Sequence, residues 1–294
     1  MTAAGVHTLS AADYHRDLID DKRPSLSSGI AHILTTNSPK HAWTAHPRLN
    51  PDFAPHEEER FDIGRVAHAL LLEGGAAVEV LDFADWRTKA AQEARDTARA
   101  AGRTPLLGKN WAAVEQMVAA TRQQLEAINA DPPLFTDGKA EQTLVWEDGG
   151  VLCRARLDWL RDDLAAIDDF KTTSASANPE RWSKTLFGIG ADVQAAMYLR
   201  GLNHATGMVD VRATRQFRWA VQETYPPYAL SVVSLAPSAL ELANAKVDTA
   251  LRIWKRCLET GEWPAYPTRV AYAEAPAYLE AAWLDREARE EVAA

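Results

Sequence analysis

Between residues 141 and 171 the hydrophobic pattern changes period, and this change restricts the possible folds more than any other feature of the chain. The segments "EQTLVWED" (141–148), "VLCRARLDWL" (151–160) and "LAAIDDFK" (164–171) are short and bounded by Gly or Asp turns, so they read as a three-stranded antiparallel meander. Helical spacing holds on both sides. Upstream, "ERFDIGRVAHALLLE" (59–73) stops at Gly74-Gly75, and helices are expected at about 84–101 and 109–129, where Ala, Arg, Gln and Glu dominate. Downstream, Asn178 and Pro179 cap and open a helix to about 202. Strands follow at 213–222 and 228–235. A final helix from Pro237 to Gly261 buries Leu240, Val247, Leu251 and Trp254 at helical spacing. Helix, three strands, helix, strands, helix implies an α/β fold with a mixed central sheet flanked by helices.

The first 55 residues, rich in Pro, Ser, Asn and His, contain "PSLSSGIAHILTTNSPKHAW", a capped short helix followed by a turn at Ser38-Pro39. With 294 residues, 47% of them hydrophobic, the chain can bury a sizeable core. One domain is expected over 1–294: an N-terminal extension (1–55), a core (56–235) carrying a helical insertion at about 84–130, and a C-terminal helix and tail (236–294). No run of about 18 apolar residues is present to cross a membrane, and "MTAAGVHTLSAADYH" lacks the basic-then-apolar order of a signal peptide, so a cytoplasmic protein is expected.

The charges narrow the function. Lys and Arg number 32 against 41 Asp and Glu, a net charge of −9, the wrong sign for gripping nucleic acid over the whole surface. A polyanion site must then be a local basic groove, or a cluster of carboxylates whose bound cations reverse the field. Cys153 and Cys257 fall in apolar patterns and read as buried thiols, and two thiols are too few for a four-cysteine iron–sulfur cluster. His41, His46 and His56 lack zinc-like spacing, and no G-x-x-x-x-G-K-S/T loop is present.

Strand alternation sorts the polar residues of the meander. In "VLCRARLDWL" one face carries Val151, Cys153, Ala155, Leu157 and Trp159, a core face, and the other carries Arg154, Arg156 and Asp158. In "LAAIDDFK" Asp169 shares a face with Ile167 and Lys171, while Asp168 lies with Phe170. A carboxylate on one strand and D-x-K on the next can hold Mg²⁺ and set a lysine beside an attacking water. Taken alone, D-x-K is common on exposed strands. A lone His68 on an apolar helix most often reads as core, and Gln194 with Tyr198, four apart on one helix face, as interface.

Together, however, "SLSSGIAHILTTNSPKHAW", "GRVAHALLLEG", "EQTLVWED", "CRARLDWL", "IDDFKTT", "DVQAAMYLRGL" and "GEWPAYP" resemble, in order, the PD-(D/E)XK nuclease superfamily and within it the RecE-like phage and prophage exonucleases. The resemblance spans roughly residues 25–270. It implies a PD-(D/E)XK core with added N-terminal helices, with His68, Asp158, Asp169 and the Phe170 backbone carbonyl as metal ligands and Glu141 near them. Lys171 matches the D-x-K lysine, and Gln194 and Tyr198 match a Gln-x-x-x-Tyr pair. Arg154 and Arg156 are candidates for phosphate contact. Leu157 stands where many members carry proline. By analogy the expected activity is Mg²⁺-dependent, with Mn²⁺ as substitute, and removes nucleotides 5′ to 3′ from linear duplex DNA in recombination. A homo-oligomer and a single-strand annealing partner are also implied. The rivals are a RecB-like or structure-specific repair nuclease using the same site, and a nucleic-acid-binding module without turnover.

Overall fold

The computed structural model describes residues 4–19, 22–54, 62–75, 77–207 and 215–293. The chain divides into two compact units, Met1–Trp263 and Pro264–Ala294. The first runs through β1 (Gly5–His7), α1 (Ala11–His15), α2 (Ser28–Thr36), α3 (Pro39–Thr44), α4 (Asp62–Leu72), β2 (Val78–Leu81), α5 (Lys89–Ala100), β3 (Thr104–Leu107) and α6 (Gly108–Ala127). It continues with β4 (Gly138–Asp148), β5 (Val151–Arg161), β6 (Ala166–Thr173), α7 (Pro179–Gly188), α8 (Ala191–Thr206), β7 (Gln216–Glu223), β8 (Leu230–Ser234) and α9 (Pro237–Thr260). The second unit contains α10 (Ala277–Ala293).

The fold is α/β, as the order of periods predicts. Its main sheet has six strands in the order β1-β4-β5-β6-β7-β8, and β2 pairs with β3 in a small separate sheet. The meander β4-β5-β6 is antiparallel, whereas β6 and β7 are parallel, which makes the sheet mixed. Parallel strands need a crossover, and α7 and α8 supply it. On one face α2, α8 and α9 bury a core that includes Leu34, Met197, Leu202, Val247 and Trp254. On the other, α4 and α6 cover Phe170 and Ala220 with Val66, Val114, Met117 and Val118.

Several expectations need correction. The helix expected over 179–202 is two helices, because Gly190 adopts φ 74°, where a side chain is strained, and a Cβ there would lie 2.4 Å from the His32 ring. Ser38-Pro39 does not simply end a helix: Ser38 is the N-cap of α3 and Pro39 its first residue. Trp159 leaves the core face predicted for it, since its ring meets Phe135 edge-on and its indole N–H donates to the Thr136 carbonyl at 3.2 Å. Residues 59–61, 213 and 214, expected at element starts, and His56 lie outside the described residues.

The misplaced Trp159 marks a break in the sheet. Ladder pairs between β4 and β5 pass from Ala140↔Trp159 to Gln142↔Leu157 and omit Glu141 and Asp158, and Glu141 has φ 58°. Because of this irregularity Leu157 and Leu160, three apart, both face the core. On its other edge β5 pairs with β6 only at Trp159↔Asp168 and Leu160↔Ile167, so the ladder stops before Asp158 and Asp169. Leu26 bridges to Cys153 further along that edge, with its N–H donating to the Leu152 carbonyl at 2.8 Å. Sheet hydrogen bonding therefore fails around Asp158 on both sides of β5.

Candidate active site

Five elements meet at this break. α4 brings His68 toward β6 because Gly64, one turn earlier, lacks a side chain: a Cβ there would sit 2.5 Å from the Thr172 hydroxyl. His68 Nε2 lies 3.4 Å from Glu141 Oε1 on β4 and 3.4 Å from Asp158 Oδ2 on β5, while its Nδ1 lies 3.4 Å from Glu73 Oε1. The Phe170 N–H donates to Asp158 Oδ2 at 2.9 Å. On β6, Asp169 is buried at 1% exposure and accepts from Gln194 Nε2 of α8 at 2.8 Å through Oδ2. Its Oδ1 is ion-paired with the Lys171 ammonium but lacks a well-formed hydrogen bond.

The electrostatics are those of crowded carboxylates. Burial, then the charge of Asp158, pushes the Asp169 carboxyl up to about 6 despite Lys171 and Gln194. Burial raises Glu141 against the opposing pull of Arg156 and His68. Asp158 is lowered: burial works against ionisation, but hydrogen bonding and charge from His68, with Lys171 and the Phe170 N–H, outweigh it. Burial would lower His68, yet hydrogen bonds to Asp158 and Glu73 and the charges of Asp158 and Glu141 push it up to about 10. Burial likewise opposes the Lys171 charge, and Asp169 and Asp158 overcome it, so its pKa is raised. The pocket thus draws positive charge to the point where three carboxylates converge.

The donor set fits a hard divalent cation. It offers carboxylate oxygens and one imidazole, with a buried oxygen on Asp169 whose hydrogen bonding is incomplete. His68 Nε2 lies 3.4 Å from one oxygen of each of two carboxylates, and His68, Glu73 and Glu141 offer ligand atoms within 4.8 Å of one another. A family model described as "PDDEXK-like domain of unknown function (DUF3799)" matches residues 31–276. The chain belongs to the DUF3799 family. PD-(D/E)XK nucleases generally use divalent metals, and the DUF3799 domain is PD-(D/E)XK-like. A crystal structure of a candidate exonuclease from Eubacterium rectale superposes with a TM-score of 0.61 at 14% identity, covering 92% of this chain and 97% of that one. The structure of SSO0001 aligns over 88% of this chain and 98% of its own at 10% identity, with a TM-score of 0.32. None of the curated proteins matches the chain.

Other residues singled out in the sequence of the DUF3799 domain fall into two groups. Gln194 reaches the site directly. Tyr198, one turn along α8, is buried among Phe217, Tyr14 and Ser28, and burial raises its hydroxyl well above the usual tyrosine range. The two arginines do not fit phosphate contact. Arg154 is 3% exposed, ion-paired with Asp17 at 2.9 Å, and donates to the Ser25 hydroxyl at 2.6 Å. Arg156 is ion-paired with Glu141 and donates to the Leu9 carbonyl at 2.7 Å. These two side chains tie the N-terminal extension to β5, a role that alternation within one strand cannot reveal. His46 is likewise fully buried, its Nε2–H donating to the Ser25 carbonyl at 3.0 Å, and burial lowers it to about 4. Cys153 and Cys257 are buried free thiols, as expected.

Glu73 was not marked by the sequence reading. It lies five residues after His68, just past the end of α4, and with His68 and Glu141 it offers ligand atoms within 4.8 Å of one another. A helical pattern alone hides it, because residues five apart do not share a helix face.

Proposed function

We propose that this protein is a Mg²⁺-dependent exodeoxyribonuclease acting on the ends of linear duplex DNA. The observation that carries the reading is the convergence of His68, Glu141, Asp158, Asp169 and Lys171, drawn from four elements, where the sheet ladder opens. Asp158, Asp169, His68 and the Phe170 carbonyl would hold the cation, with Glu141 beside them. When bound, such a cation supplies a more acidic water and positive charge at the scissile phosphate. Lys171, held against Asp169, orients the attacking water and offers its ammonium to the developing charge. Gln194 fixes the Asp169 carboxylate, and Tyr198 backs that part of α8 from within the core. The RecE-like motifs support 5′-to-3′ polarity, a place in recombination beside a single-strand annealing protein, a homo-oligomer and a cytoplasmic location. Among the described residues no helix is long and apolar enough to cross a membrane.

The test uses end-labelled linear duplex and closed circular DNA, each with Mg²⁺, Mn²⁺, Ca²⁺ or chelator. Linear DNA should be degraded with Mg²⁺ or Mn²⁺ and spared in chelator, with Ca²⁺ supporting binding more than cleavage because it tolerates looser geometry. Cutting of the circle would identify an endonuclease. Undiminished cleavage in chelator would refute the metal mechanism.

A further inference from the structure

We propose that Glu73 is a positioning residue for the metal site, acting through His68: its carboxylate accepts the Nδ1–H of the imidazole and so turns Nε2 toward Asp158 and Glu141. The proposal rests on the nuclease reading above and adds a member to its machinery.

The two ring nitrogens of a histidine point in different directions, and only the unprotonated one can bind a cation. His68 Nε2 is the nitrogen 3.4 Å from both Glu141 and Asp158, so it is the one placed to be a ligand. The proton of a neutral ring must then sit on Nδ1, and Nδ1 faces Glu73 Oε1 at 3.4 Å. Carboxylate–histidine–metal chains of this kind fix both the tautomer and the plane of the ring.

The backbone holds Glu73 in place for this role. Its N–H closes the last turn of α4 onto the Ala69 carbonyl at 3.0 Å, and the Gly75 N–H caps the same carbonyl at 2.9 Å. Gly74 and Gly75 take φ 71° and 78°, which lets the chain turn immediately after the carboxylate. The Glu73 side chain is 36% exposed, against 18% for Glu141 and 20% for Asp158. It stands at the rim of the site and does not serve the core.

Mn²⁺ titration calorimetry of the full chain separates the possibilities. Glu73→Ala should weaken Mn²⁺ binding about 10- to 100-fold, the usual cost of losing such a partner. The melting temperature in chelator should stay within a few degrees of wild type. Glu73→Gln keeps an acceptor for Nδ1–H and should restore most of the affinity. In a His68→Ala background, Glu73→Ala should add less than about twofold, because the partner through which it acts is gone. Unchanged affinity in Glu73→Ala would overturn the proposal. So would an equal loss with and without His68, which would make Glu73 a ligand in its own right. Failure of the wild-type protein to bind Mn²⁺ would instead overturn the nuclease reading beneath it.

Discussion

Asp168 and Asp169 are adjacent, chemically identical and almost completely buried, yet their surroundings differ in kind. Asp168 receives Arg218 Nε at 2.6 Å and Nη2 at 2.9 Å, and the Phe135 N–H at 2.9 Å. The same guanidinium donates to the Pro132 carbonyl at 2.5 Å, so this carboxylate ties β6 to β7 and to the loop before β4. Asp169 has one amide donor from Gln194 and a lysine, faces a second carboxylate, and is pushed up to about 6. A buried charge with fully satisfied hydrogen bonds serves the fold, whereas one left short of partners is poised to take a cation.

The largest expected effect breaks the first half of this pair. Asp168→Asn leaves the Arg218 guanidinium buried without its counter-charge, and losing one partner of such a pair costs about 3–5 kcal/mol. Urea denaturation should show that loss. The remaining folded protein should still cleave DNA at a rate within a few-fold of wild type. An unchanged midpoint with abolished cleavage would reverse the roles assigned to the two residues.

The same substitution one residue later should act the other way. Asp169→Asn removes a proposed ligand and should lower cleavage at least about a hundredfold, equivalent to about 2.7 kcal/mol in the barrier. Its effect on stability has the opposite sign. A carboxyl whose folded pKa is raised costs stability as pH climbs from its unfolded value, near 4, through about 6. In chelator at pH 7.5 the Asn variant should therefore melt no lower than wild type, and any advantage should fade by about pH 4. A variant that is both inactive and much less stable would place Asp169 in the fold's support.

How much of this contrast could be read in the sequence depends on the range of the interactions. Alternation along β6 is a local rule, and it set Asp169 with Lys171 and turned Asp168 away, as the structure does. The same rule misplaced Trp159, because the ladder breaks at Glu141 and Asp158, and a left-handed glutamate leaves no sign in the sequence. The partners of Arg154 and Asp168, namely Asp17 and Arg218, are distant in sequence, so no pattern announced them. Gly190 splits a helix whose propensity looked continuous. β1, β2 and β3, only three or four residues long, also escaped notice, being too short for a period. The long helix α9 was legible from end to end, since Pro237 and Gly261 mark both boundaries. The motif residues of the site owe their selection to the family resemblance, not to any single local rule.

The smallest expected effect sharpens the second half of the pair. Gln194 Nε2 donates to Asp169 Oδ2 at 2.8 Å and works against the rise of that carboxyl toward 6. Gln194→Leu removes the donor while keeping similar bulk, so the Asp169 pKa should climb further. A neutral hydrogen bond is worth about 0.5–1.5 kcal/mol net, and one pH unit corresponds to about 1.36 kcal/mol. The shift should then be about half a unit to one unit. The cation requires the ionised carboxylate, which is lost as pH falls through the folded pKa. The acid limb of the cleavage profile, taken with Mn²⁺ held near its Kd, should therefore move to higher pH by that amount. At pH 8 the variant should stay within a few-fold of wild type, and the deficit should widen toward pH 6. If Gln194 instead positions the DNA strand, the rate should fall by one factor at every pH and the acid limb should stay where it is. That flat deficit would leave the charge balance of Asp169 to Asp158 and Lys171 alone.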